Sequence, residues 1–68
     1  MVKMIPVESS NISAIGYSDN TLYVQYFSST YRYDDVPQEV ADRLFKVDSK
    51  GRFMDNYIKD SYVCTKLT

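Results

Sequence analysis

Thr21-Leu22-Tyr23-Val24-Gln25-Tyr26-Phe27-Ser28-Ser29-Thr30-Tyr31-Arg32-Tyr33 is the stretch that decides the fold. Leu22, Val24 and Tyr26 alternate with Tyr23, Gln25 and Phe27, the period-two pattern of a strand with two different faces. Ser28-Ser29 breaks the pattern. It returns from Thr30 to Tyr33, with Tyr31 and Tyr33 on one face and Arg32 on the other. Two strands joined by so short a break form an antiparallel hairpin. Upstream, Asp19-Asn20 supplies another turn. Before it, Ile12 to Tyr17 reads as a strand, and Gly16 within it marks a bulge or a close backbone approach. Ser9-Ser10-Asn11 is a polar break. Met4 to Glu8 precedes it as a short first strand, with Pro6 marking an edge or an entry.

After Asp34-Asp35 the period changes from two to that of a helix. Pro37 suits a first helical turn, and Gln38 and Glu39 favour its positive end. Val40, Leu44 and Val47 make an i, i+4, i+7 stripe, flanked by Ala41 and Phe45. Asp48 and Ser49 can each cap a new start. Lys50 to Lys59 reads as a second short helix with Phe53, Met54, Tyr57 and Ile58 as its apolar side, weakened early by Gly51. Ser61 to Leu67 reads as a terminal extended segment. The expected architecture is a single α+β domain over residues 1–68, a small antiparallel β-meander with two short helices packed on one face.

Sixty-eight residues bury only a small core, worth roughly 3–5 kcal/mol of net stability in chains of this size. Such chains compensate with disulfides, a metal or self-association. Cys64 is the only cysteine and there is no histidine, so neither an internal disulfide nor a clustered Cys/His zinc site is available. Self-association is the compensation left, and seven tyrosines exceed what so small a core can bury. A homo-oligomer is therefore expected. Eight basic and nine acidic residues argue against strong generic binding of long nucleic acid, which requires many neutralised phosphates. A ligand with one or two phosphates stays possible. No apolar run approaches a membrane span, and Met1-Val2-Lys3-Met4 lacks the apolar stretch of a signal peptide. With a free thiol as well, the cytoplasm is the expected compartment.

The residues of catalysis are missing. Without histidine, Cys64 has no partner to activate it as a nucleophile. Asp34-Asp35 is the one adjacent acidic pair, and strand neighbours point to opposite faces. Glycine patterns of phosphate loops and dinucleotide folds are absent. A non-enzymatic protein without cofactor or metal is expected. Three stretches carry binding chemistry instead. Tyr31 and Tyr33 can stack on a flat base, and Arg32 can pair with a phosphate; both rings also suit a core or an interface. Ser49-Lys50-Gly51-Arg52 combines a helix start with two cations and a glycine that allows close approach, or is simply a capped, solvated turn. Ser9-Ser10-Asn11 offers small polar side chains to a ligand, and also makes a good turn by itself.

Taken together, Ser9-Ser10-Asn11-Ile12, Ile15-Gly16-Tyr17, Leu22-x-Val24-x-Tyr26, Tyr31-Arg32-Tyr33, Val36-Pro37 and Ser49-Lys50-Gly51, followed by Phe53, Asn56, Ile58 and Tyr62, resemble the KTSC domain. The resemblance runs from about Val7 to Leu67, and the Tyr-x-Tyr and Ser-Lys-Gly segments are its most specific parts. Ser29 stands where the family's turn usually carries a glycine, which leaves the geometry of that turn open. The resemblance implies a module found at the C-terminus of some lysyl-tRNA synthetases and alone in bacterial and phage proteins. It implies RNA binding on one view. On another it implies sequestration of the cyclic nucleotide signals of bacterial antiviral defence.

The leading expectation is an oligomeric nucleotide-binding protein, a phage sponge for cyclic dinucleotides in the host cytoplasm. Tyr31 and Tyr33 would stack on bases, and Arg32, Lys50 and Arg52 would meet phosphates. Ser9, Ser10 and Asn11 would fix the base or ribose edge, with Ser49, Gly51 and Asn56 completing the set. The alternatives are an RNA- or tRNA-binding module using the same surface, and a protein-interaction module that inhibits a host protein through its tyrosines.

Overall fold

In the computed structural model, which describes residues 2–68, five strands form one antiparallel sheet in sequence order. They are β1 (Ile5–Pro6), β2 (Ile12–Ser18), β3 (Thr21–Tyr26), β4 (Thr30–Tyr33) and β5 (Cys64–Lys66). Helix α1 spans Gln38–Lys46 and α2 spans Lys50–Phe53, and α2 runs on into a π-helical turn over Met54–Ile58. The architecture is α+β. No helix among the described residues is long and apolar enough to cross a membrane.

The alternation in β3 sets the sheet. Leu22 and Val24 are fully buried while Gln25 is exposed. Leu22 pairs with Tyr33 and Val24 with Tyr31, so both tyrosines share the face of the buried aliphatic residues. Tyr23 pairs with Arg32 on the opposite face. The β2–β3 turn places Asp19 at φ 51° and Asn20 at φ 60°. A two-residue hairpin turn of type I′ needs both central residues in this left-handed region, and Asp and Asn tolerate it. At the β3–β4 turn the Tyr26 amide donates to the Ser29 carbonyl at 2.7 Å. Ser29 is not among the residues with positive φ, so this turn closes without a glycine.

Gly16 proves to be a close approach rather than a bulge. A β-carbon there would lie 2.6 Å from Val2 Cγ1, 2.7 Å from Met4 Sδ and 3.0 Å from the Lys3 carbonyl oxygen. The bulge falls at Ser13, between the pairs Ile12–Tyr26 and Ala14–Gln25. The Ser13 carbonyl is turned to accept the Val7 amide at 3.2 Å.

One cluster forms the core. It joins Ile12, Ile15, Leu22, Val24 and Tyr33 of the sheet to Val36, to Ala41 and Leu44 of α1, and to Met54 and Ile58 of the π turn. No charged residue is buried among the described ones, so the core holds chiefly by apolar contact. The Tyr17 hydroxyl ties β2 to the start of α1 by donating to the Val36 carbonyl oxygen.

Candidate functional site

Two depressions meet at the loop Ser9–Asn11. The larger is an open groove of about 820 Å³. Tyr26, Tyr31 and Tyr33 form its aromatic wall, and Ser10 and Asn11 stand at one end. The hairpin tip contributes Phe27, Ser28 and Ser29. Asp55, Lys59, Asp60 and Cys64 complete its lining. The smaller depression, about 220 Å³, is lined by Ser9, Ser10, Asn11, Asp48, Ser49, Lys50, Gly51 and Arg52. Ser10 and Asn11 belong to both. No group of three or more potential metal ligands occurs among the described residues.

The aromatic wall follows from the sheet register. Tyr31 and Tyr33 lie two residues apart on β4 and so share a face, and β5 sets Cys64 beside Tyr33. Tyr26, from the end of β3, meets Tyr31 edge to face, with centroids 5.7 Å apart and planes at 83°. This is a favourable aromatic geometry. Tyr33 is 3% exposed. Burial raises its phenol well above the ordinary tyrosine range, and the neighbouring Tyr26 and Cys64 add to the shift. Tyr26 is also raised, first by burial, while its contact with the Tyr33 hydroxyl pulls the other way. Both phenols are therefore neutral at physiological pH. Phe27 is 71% exposed at the hairpin tip, an apolar ring held in water at the groove's edge.

The smaller depression depends on a glycine. A β-carbon on Gly51 would come within 3.2 Å of Asn11 Nδ2, so Gly51 lets the Ser9–Asn11 loop sit against the start of α2. Ser9 Oγ accepts from the amides of Asn11 and Ile12, each at 3.3 Å, which makes Ser9 a turn-forming residue first. The Ser49 side chain makes no capping hydrogen bond. Lys50 Nζ donates to the Val47 carbonyl oxygen at 2.7 Å. Its charge thereby rests at the end of α1, where a cation is favoured. Arg52 is exposed, and among the described residues it has no carboxylate within ion-pair distance.

The structure thus brings Ser9, Ser10, Asn11, Ser49, Lys50, Gly51 and Arg52 together, and sets Tyr31 and Tyr33 in the adjoining groove. Arg32 and Asn56 border neither depression. Arg32 lies on the other face of the sheet with its Nε 3.1 Å from Asp34 Oδ1. The Nε–H is not aimed at that oxygen, so the contact is an ion pair and the buried Nε lacks a hydrogen-bond partner. Tyr26, Phe27, Ser28, Ser29, Asp55, Lys59, Asp60 and Cys64 line the groove but lie outside the three stretches whose composition marks them for binding. Two signals point to some of them. Tyr26 continues the Leu22–Val24 face, and Asp55 and Lys59 stand four apart on a helical stretch.

The KTSC domain profile matches residues 8–62. The chain belongs to the KTSC domain family. A KTSC domain protein from Yersinia pestis, solved by crystallography, superposes with a TM-score of 0.94 at 35% identity and covers 100% of both chains. A protein of Tsukamurella paurometabola is 40% identical over 62 residues, covering 87% of this chain and 92% of the relative. An uncharacterized protein of Stutzerimonas stutzeri is 33% identical over 64 residues, covering 90% of each. The KTSC fold is thus shared along nearly the whole chain.

Proposed function

We propose that this KTSC domain is a non-enzymatic, oligomeric nucleotide-binding protein that sequesters cyclic dinucleotides, as a phage-encoded sponge would. The observation that carries the reading is the sharing of Ser10 and Asn11 between the aromatic groove and the basic depression. A base seated against Tyr26, Phe27 and Tyr31 has Lys50 and Arg52 within the next depression for its phosphate. Base–aromatic stacking needs no particular sequence, and a few cations suffice for one phosphate. A cyclic dinucleotide has two bases and two phosphates, so two copies of the site suit it. Arg32 would reach such a ligand only from a neighbouring copy. In this reading both helices cover the sheet face that carries Tyr31 and Tyr33. Their support is the core cluster that Leu22, Val24 and Tyr33 share with Leu44, Met54 and Ile58.

Calorimetry with a panel of cyclic dinucleotides tests the proposal. Binding is expected, with a shallow salt dependence because few phosphates are neutralised. Tyr31→Ala should weaken it by the ~1–3 kcal/mol of one stacked base. Arg52→Ala should weaken it as well. Absence of heat at high micromolar protein and ligand would end the proposal. A steep salt dependence with single-stranded RNA would favour the RNA-binding reading instead.

A further inference from the structure

One side of the groove differs in chemistry from the rest. Asp55, Lys59 and Asp60 all border it, and all three are exposed. Neither carboxylate has a cation within ion-pair distance among the described residues, not even Lys59. Two carboxylates facing a groove repel a phosphate and attract hydrogen-bond donors. The backbone explains why they stand together. The Lys59 amide donates to the Met54 carbonyl at 2.7 Å, a five-residue bond. In an ordinary α-helix, residues five apart are turned about 140° from each other, so Asp60 would leave the side held by Asp55. The π turn widens the coil, and Asp55, Lys59 and Asp60 reach one groove while Met54 and Ile58 stay fully buried. Single π turns inside helices are frequent at functional sites.

We infer that this groove reads guanine, with Asp55 and Asp60 as its specificity-determining residues and Lys59 beside them. The inference rests on the proposal that the groove holds a nucleotide base. Guanine presents adjacent N1–H and N2–H donors beside the O6 acceptor. The carboxylates accept from the two donors and the Lys59 ammonium donates to O6. Adenine presents a bare N1 lone pair where guanine has N1–H, which a carboxylate repels. Hypoxanthine keeps N1–H and O6 but lacks the N2 amine. Tyr26 and Tyr31 supply the stacking face, which is blind to base identity, so discrimination falls to the acidic side.

Calorimetry with cyclic di-GMP, cyclic di-IMP and cyclic di-AMP tests this on the wild-type chain, Asp55→Asn, Asp60→Asn and the double variant. The guanine ligand should bind tightest, with the adenine ligand roughly 5- to 150-fold weaker, the span of one good bidentate base contact. The inosine ligand should fall between them. The double variant should lose the preference while its melting temperature stays within a few degrees of wild type, since both side chains are exposed. Equal or tighter binding of the adenine ligand overturns the inference and leaves the nucleotide reading standing. So does a guanine preference that survives in the double variant. Failure of all three ligands to bind overturns the nucleotide reading and the inference with it.

Discussion

Three consecutive residues, Tyr31-Arg32-Tyr33, meet three different environments, and strand alternation sends them there. Tyr33 goes into the core, Tyr31 half-buried onto Tyr26, and Arg32 to the other face against Asp34. The face of each was legible from the period of two. The depth of Tyr33 was not, because it depends on Cys64 and the π turn, which come from the far end of the chain. Tyr33 has a consequence for pH. Its folded pKa lies above the unfolded value of about 10, so the folded state holds its proton more tightly. That stability is fully present below about pH 10 and is lost as pH rises further, by up to ~1.4 kcal/mol per pH unit for one proton. Melting temperature should therefore be flat to about pH 9 and fall above pH 10. The fall should be shallower in Tyr33→Phe, whose ring cannot ionise. Gly16 offers a second test. Gly16→Ala places a β-carbon against Val2, Met4 and the Lys3 carbonyl, and moving that segment should cost about 1 kcal/mol, at the low end for overpacking. Denaturant titration would show the loss, and limited proteolysis would show earlier cleavage before Ile5.

Elements were more legible than their irregularities. Both hairpins and the helix after Pro37 are written in hydrophobic period and turn residues. The bulge at Ser13 and the π turn at Met54–Ile58 are not, since each answers a packing demand made by another element. The site follows the same division. Loop Ser9–Asn11 and segment Ser49–Arg52 could be picked out by composition, but their contact rests on Gly51 passing Asn11. The acidic side of the groove depends on the π turn, and the spacing of Asp55 and Lys59 is its one local signature. The β2–β3 turn can be tested as an element. Asn20 sits at φ 60° and accepts the Val36 amide through its carbonyl at 2.8 Å. Alanine tolerates the left-handed region poorly, so Asn20→Ala should lower stability by about 1–2 kcal/mol. Asn20→Gly keeps the backbone bond and relieves the conformational cost, so its urea midpoint should stay near wild type.

At the scale of the whole molecule, the two sheet edges are unequal. The β1 edge is two residues long and contains Pro6, which protects it from pairing. β5 has no proline, its three residues are all exposed, and Val63 and Leu67 beside it are 69% and 44% exposed. The Asp34 amide donates to the Val63 carbonyl, and the Leu67 amide to the Thr30 carbonyl. By alternation, Thr65 also faces β4, and the amides of Cys64 and Lys66 point outward. A second copy added antiparallel along this edge would pair those groups and cover both apolar side chains. For a core worth only roughly 3–5 kcal/mol, that addition is a substantial gain. Native mass spectrometry should therefore find an even-numbered assembly. Lys66→Pro removes an outward donor and leaves the inward bonds of Val63, Thr65 and Leu67 in place. It should shift the assembly toward the monomer while the circular dichroism spectrum stays that of the folded chain. A wild-type monomer at micromolar concentration would rule out this edge as a joint. It would also leave any cyclic dinucleotide to be held by a single groove.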